Sequence, residues 1–400
     1  MMIAAELIFF TSLLAIAAPY VLYPISVVLL ARCRRLRPEP PEISPKATLL
    51  ISAFNEARVI KGKIENSLAL DYPRDGLEIL VISDASDDGT DDIVTAFKDP
   101  RITLCRQEPR GGKTKGITRF MPQARGEIVV FSDANSIYDA QALRQLTRHF
   151  SDPKVGYVVG YQRYIADPDS PVAVSEGAYW RYEKVLKQSE SRLNSVVGGD
   201  GAIFAIRRHL FVPLRDDEIN DFVTPLQIIA AGYRGVYESR AVCDEHTAAD
   251  FAGEFRRKVR IVNRSFRGVL RVPQTLNPLR VGWFAYQLFV HKVLRWFVPL
   301  FLVALLASSV FLAAATRQPL FELALYAQLA FYAVALLHFV PGVSKFRAVY
   351  LIYYFCLANL AAALGVMGVI FGRKIVVWQP QREAEIDAGA MAGETASVRR

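Results

Sequence analysis

Thr48-Leu49-Leu50-Ile51-Ser52-Ala53-Phe54-Asn55-Glu56 is a short apolar run that ends in polar residues, and a helical pattern follows it through Leu70. The same unit recurs down the chain. Residues 78–83 form a second run, rich in Ile and Val, with a helix expected over 90–97. Residues 102–105 form a third, and 113–123 read as helix. Residues 128–131 form a fourth, followed by a helix over 140–150, and 155–159 a fifth. Strand-length runs alternating with helical patterns predict βαβ units, and hence an α/β domain with a mainly parallel sheet.

Ligands of such sheets sit at the carboxyl ends of the strands, and the polar residues fall there. Asn55 and Glu56 follow the first strand, Asp84, Asp87 and Asp88 the second, Asp133 and Asn135 the fourth. Any one acid in such a place caps the next helix. Carboxylates at three neighbouring strand ends repel one another unless a cation intervenes. Asp133-Ala134-Asn135 offers two oxygen donors in a strand-exit turn, the donor type that Mg²⁺ or Mn²⁺ takes while bridging phosphates. A cation there offsets the charge that builds on a diphosphate leaving group. Asp84 is of the type that accepts hydrogen bonds from a base or ribose. Arg110-Gly111-Gly112-Lys113 is a glycine-hinged basic turn before a helix, suited to phosphate but without the Walker spacing.

Two further stretches have two readings each. Gly198-Gly199-Asp200-Gly201 precedes a strand expected over 202–206, and serves either as a tight turn or as a close backbone approach to a ligand. Asp221 opens an apolar helical run over 223–231. It is either an acid of the helix's first turn or a general base aimed into the cleft. Spacing alone leaves both open.

Composition adds a membrane. Of 400 residues, 52% are hydrophobic, too many for an ordinary soluble enzyme. Residues 7–31, 296–315 and 348–372 run without a charge, close to the ~20 residues a bilayer helix needs. Residues 319–340 are nearly as apolar but carry Glu322 and His338. The first run exceeds the ~7–15 residues of a signal-peptide core. It is followed by Arg32, Arg34, Arg35 and Arg37 in a proline-rich linker over 32–45. That basic flank predicts a cytoplasmic domain over 46–250, in a multi-pass protein of the inner cell membrane. The net charge of +9 then points to anionic lipid headgroups rather than nucleic acid. The four cysteines show no metal or redox spacing.

Arg256, Arg260, Arg264, Arg267 and Arg271 share one helical face beside an apolar stripe of Phe255, Val259, Val262, Phe266 and Val269. Residues 251–295 are therefore expected to form amphipathic interfacial helices. Arg256, Arg257 or Arg260 has the chemistry to reach a donor diphosphate or an acceptor phosphate as well. A membrane cluster over 296–372 and a polar tail over 373–400 complete the chain. Three full C-terminal spans would carry Arg373 and Lys374 to the outer side, so 348–372 is expected to be re-entrant or interfacial.

Together these segments resemble the family 2 glycosyltransferases, above all the membrane-integrated branch of cellulose, hyaluronan and chitin-oligosaccharide synthases. Ser52-Ala53-Phe54-Asn55-Glu56 matches that family's P-A-Y-N-E-like motif, and Ser83-Asp84-Ala85-Ser86-Asp87-Asp88-Gly89-Thr90 its D-D-G-S-x-D-x-T motif. Gly112-Lys113 matches its basic turn, Asp133-Ala134-Asn135 its D-x-D motif, and Asn220-Asp221 the acidic pair that holds its catalytic base. Residues 232–238 and Glu245 fit as well, so the similarity covers 46–271. The resemblance implies a GT-A-like domain in which Ala53, Glu56, Asp84, Lys113 and Asp133 hold a nucleotide sugar, with uridine as the nucleoside. It implies that Asp133 and Asn135 bind a divalent cation. Asp221 then deprotonates the acceptor hydroxyl, which inverts the anomeric carbon. Apart from the resemblance, Asp200, Arg256, Arg257 and Arg260 are expected to contact the acceptor or the diphosphate.

Three departures qualify this. Asn135 replaces the second metal-binding Asp, and Asn220 replaces an acid beside the base. Arg256-Arg257-Lys258-Val259-Arg260 stands where the processive synthases carry Q-x-x-R-W. Transfer of one or a few sugars to a lipid-linked or membrane-proximal glycan acceptor is therefore expected ahead of processive polysaccharide synthesis. A transporter would need more ionisable groups in its spans than Glu322 and His338. An inactive nucleotide-sugar sensor would not need both Asp133 and Asp221.

Overall fold

The computed structural model describes residues 1–35, 37–165, 171–246, 251–343 and 346–375. The tail beyond 375 and the expected boundary at 250 lie outside the described residues.

Eight strands form one sheet: β1 (Ala47–Ala53), β2 (Leu77–Ser83), β3 (Ile102–Arg106), β4 (Ile128–Asp133), β5 (Ile137–Tyr138), β6 (Val155–Ile165), β7 (Phe204–Arg207) and β8 (Arg234–His246). Their order is β3-β2-β1-β4-β7-β6-β8-β5. The flank β3-β2-β1-β4 is parallel throughout, β7 runs antiparallel to β4 and β6, and β6 pairs with β8 in parallel. Leu49, Leu50 and Ile51 are fully buried. β1 is thus covered on both faces, which is why its sequence is a continuous apolar run rather than an alternating one. Strand order reverses beside β1. The register sets Ala53 opposite Ser83 and Ser52 opposite Asp133, so three strand ends finish level.

The mainly parallel reading holds, and the differences lie at the edges of elements. The strand expected from residue 202 starts at Phe204, because residues 200–203 make a turn closed by Ile203 N–H on the Asp200 carbonyl, 3.0 Å. The helix Pro171–Leu193 was not legible. Its buried positions alternate acids with leucines, Glu183, Leu186, Glu190 and Leu193, so no continuous apolar stripe marks it.

Among the described residues, four helices are long and apolar enough to cross a membrane: Met2–Arg32, Trp283–Thr316, Pro319–Phe339 and Arg347–Ile370. Phe9 of the first meets Phe321 of the third at 5.0 Å between ring centroids. Residues 283–296, expected as an interfacial or span-entry helix, lead into a span. They continue through a π-helical turn, Phe289–Leu294, into Arg295–Thr316. Arg347–Ile370 is unbroken and packs along the arginine-rich helix Phe251–Arg271. Tyr354 lies beneath Lys258, a β-carbon on Gly365 would stand 2.8 Å from Val262, and the Arg373 carbonyl accepts from Asn263 and Arg267. The end of this last helix therefore rests on the side of the sheet domain, with Lys374 3.8 Å from Asp217.

Candidate active site

The loop after β1 is held by the loop after β2. Asn55 adopts a left-handed conformation at φ 52°, and its side chain accepts from Asp87 N–H at 3.1 Å. Asp88 accepts from Ala57 N–H at 2.9 Å and from Thr90, while Thr90 Oγ1 accepts from Glu56 N–H at 2.9 Å. Burial raises the Asp88 pKa, and the hydrogen bonds from Thr90 and Ala57 outweigh it, so the carboxyl stays below its ordinary range. Asp88 and Thr90 thus serve the loop's shape, and they place the buried Glu56 at the strand end.

Asp84 N–H donates to the Ala53 carbonyl at 2.9 Å. Its carboxylate, only 7% exposed, accepts from Gly111 N–H at 2.8 Å, from Gly112 N–H at 2.9 Å and from Gln107. Asp84 therefore fixes the Arg110-Gly111-Gly112-Lys113 turn. Gln107 was not singled out in the sequence, and its place directly after β3 was the only signal.

That turn aims Lys113 at the fourth strand. Its ammonium bonds the Asp133 carboxylate and the Gly201 carbonyl, the latter at 3.2 Å. A β-carbon on Gly201 would stand 3.1 Å from Asp221 Oδ2, 3.5 Å from Lys113 Nζ and 3.8 Å from Asp133 Oδ2. The bare face of this glycine is thus where base candidate, metal candidate and lysine meet. Asp200 lies 3.6 Å from Lys187, and Asn135 donates to Glu245 at 2.8 Å. Burial raises the pKa of Asp221; Lys113 opposes this, while Asp200 and Asp133 add to it. Glu245 is raised in the same way, by burial and by Asp133. Asp133, Asp200, Asp221 and Glu245 are one electrostatic cluster.

The helix Phe251–Arg271 covers the cluster with cations. Burial and the neighbouring Arg264 and Arg257 push Arg260 down to about 10, against the pull of Asp221 and Asp133. Arg264 is buried, and its guanidinium donates to Thr114 Oγ1 at 2.8 Å and to the carbonyls of Asp216 and Glu218. Arg257 pairs with Glu254 at 2.7 Å, and Arg256 is exposed. Of the expected phosphate-contacting arginines, Arg260 faces the cluster most directly. Arg264 is a clamp that joins this helix to the residues leading into Asp221.

Arg264→Met should lower the melting temperature by removing the guanidinium's bonds to Thr114 Oγ1 and to the Asp216 and Glu218 carbonyls, of which the Glu218 carbonyl keeps the Thr114 hydroxyl as donor, at about 1–3 kcal/mol for bonds of this kind. Thermal unfolding in detergent measures it. An unchanged Tm would show that the clamp adds no net stability.

Residues 48–212 match Glycosyl transferase family 2. The chain is 26% identical over 231 residues to the poly-beta-1,6-N-acetyl-D-glucosamine synthase of Staphylococcus aureus, covering 56% of this chain and 55% of that protein. It thus spans about half the length of that curated relative. Among solved structures, it is similar to a mannosyltransferase from Pyrobaculum calidifontis in complex with GDP-Man and Mn²⁺. Identity there is 25% and the TM-score 0.69, covering 89% of this chain and 99% of the other. Strand ends, basic turn and sequence match agree: residues 48–212 match the family 2 glycosyltransferases within a GT-A-like fold, joined to helices long and apolar enough to cross a membrane.

Proposed function

We propose that this protein is an inverting, metal-dependent glycosyltransferase. It moves a sugar from a nucleotide-diphosphate sugar, a UDP-sugar on the motif resemblance, to a lipid-linked or membrane-proximal acceptor at the cytoplasmic membrane face. The observation that carries the reading is the convergence of Asp221, Lys113 and Asp133 on the bare face of Gly201. It supports Asp221 as general base, because burial and neighbouring carboxylates raise its pKa toward working pH, where a base is most effective. The relative from Pyrobaculum, solved with GDP-Man and Mn²⁺, supports both a nucleotide sugar and a cation.

The donor set fits a hard cation. Asp133 supplies a carboxylate, and Asn135, whose amide nitrogen is committed to Glu245, supplies its carbonyl oxygen. Among the described residues, no three His, Cys, Asp or Glu side chains are grouped to hold a metal. Donor phosphate oxygens are therefore needed to complete the shell. The cation would neutralise charge on the leaving diphosphate. Glu56 and Asp84 flank the nucleoside end, with Lys113 and Arg260 toward the phosphates and Asp200 toward the acceptor.

Asp221→Asn should slow transfer by about 10²–10⁴-fold while leaving nucleotide affinity nearly unchanged. The base acts only when ionised, so kcat/KM should fall as pH drops through the raised Asp221 pKa. The acidic limb then lies above the ordinary aspartate value of 3.8. Near-normal transfer by the variant, or a limb at or below that value, would remove Asp221 from the role.

A second reading, processive polymer synthesis, draws on the Staphylococcus aureus synthase. Against it stands Arg256-Arg257-Lys258-Val259-Arg260 in place of Q-x-x-R-W. The arginine face suits an anionic acceptor at the membrane surface better than a neutral polymer. With excess donor, the purified protein should give products extended by one or a few sugars. A ladder of long glycans would decide for the synthase.

The basic flank after the first span supports a cytoplasmic domain. The contact of Arg373 with Asn263 and Arg267 supports a last helix that ends on that same side. A cysteine introduced at exposed Arg373 should react with a membrane-impermeant thiol reagent only after the membrane is opened. Labelling of intact cells would reverse the assignment.

A further inference from the structure

Lys63 lies in the helix Ile60–Leu68 that follows β1, on its buried face with Ile60, Ile64 and Ser67. Its side chain is fully buried. Among the described residues no carboxylate comes within ion-pair distance of it. Its ammonium donates to the Ser136 carbonyl at 2.5 Å and lies 4.0 Å from the centre of the Tyr138 ring. Burying an ammonium without a carboxylate partner is costly. Burial pushes Lys63 down to about 7, resisted by Cys243 and Asp133. A Leu or Met would fill this position in the core without that cost, so packing does not account for the lysine.

What the ammonium does is hold the turn after β4 from beneath. Ser136 N–H closes that turn on the Asp133 carbonyl, and Lys63 grips the Ser136 carbonyl. One turn along the same helix, Asn66 brackets Tyr138: Nδ2 donates to the Tyr138 carbonyl at 2.9 Å, and Oδ1 accepts from Tyr138 N–H at 2.9 Å. Tyr138 OH then donates to the Ala202 carbonyl at 2.9 Å, the residue after Gly201. One helix face thus ties the Asp133-Ala134-Asn135 turn to the Gly201 backbone.

We propose that Lys63, with Asn66, is a positioning residue that sets the Asp133–Asn135 turn for the donor diphosphate and its cation. The proposal rests on the nucleotide-sugar reading above. A small displacement of such groups is enough to cost ~10²-fold in rate.

Lys63→Met keeps the volume of the stem and removes the donor. Replacing a buried charge with an apolar side chain of similar size is often neutral or stabilising. The expected result is therefore split: Tm is unchanged or raised, while affinity for UDP or GDP with Mn²⁺, measured by calorimetry on the full-length protein in detergent, falls at least ~10-fold. Asn66→Ala should weaken the same affinity, and carries the test if the first variant does not fold. Diphosphate affinity within twofold of the parent in the folded variants would overturn the proposal. A parent that binds neither diphosphate, with or without Mn²⁺, would instead overturn the nucleotide-sugar reading and this proposal with it.

Discussion

The site depends on one electrostatic constraint: four acids, Asp133, Asp200, Asp221 and Glu245, gather where the strands end, and cations must stand among them. Lys113 is one of these, bonded to Asp133 and to the Gly201 carbonyl. Arg260 adds a second positive charge from above. Burial, together with the like charges of Asp200 and Asp133, raises the Asp221 pKa against the pull of Lys113.

Two buried tethers keep this cluster in shape. Asp84 holds the turn that presents Lys113, by accepting from two successive backbone N–H groups. Arg264 holds the arginine-rich helix to Thr114 and to the carbonyls of residues 216 and 218, only a few positions before Asp221. Removing Asp84 would leave two buried backbone N–H groups without their acceptor, which costs more than the bonds themselves contribute, and removing Arg264 would undo the bonds that hold its helix to Thr114 and Asp216. The arginine-rich helix also carries the last apolar helix along its flank. One element thus packs against the last apolar helix and lines the acid cluster as well.

Much of this was legible in the chain. The apolar runs alternating with helical patterns gave the parallel flank, because a strand covered on both faces must be apolar along its length. Acids at the ends of three such runs marked the cleft, and the charge-free stretches marked the membrane. Less legible were the elements whose buried face is partly polar. The helix Pro171–Leu193 buries Glu183 and Glu190 among its leucines, so no continuous apolar stripe marks it, and Lys63 reads as an ordinary exposed lysine.

What the sequence by itself determined was the class of domain, the placing of acids at strand ends and of a basic turn beside them, and the presence of apolar stretches long enough to span a membrane. These follow from local pattern and residue type. Only the tertiary structure decided how the roles divide. It set Asp88 to shape a loop, Asp84 to fix a turn and Asp221 to face Gly201, although all three are aspartates in polar stretches. It also laid the helix Arg347–Ile370 along the arginine-rich helix, where composition alone matched a crossing span. The reason is the same in each case: a carboxylate's role and an apolar helix's resting place depend on which groups fold against them, and those groups lie far away in the chain.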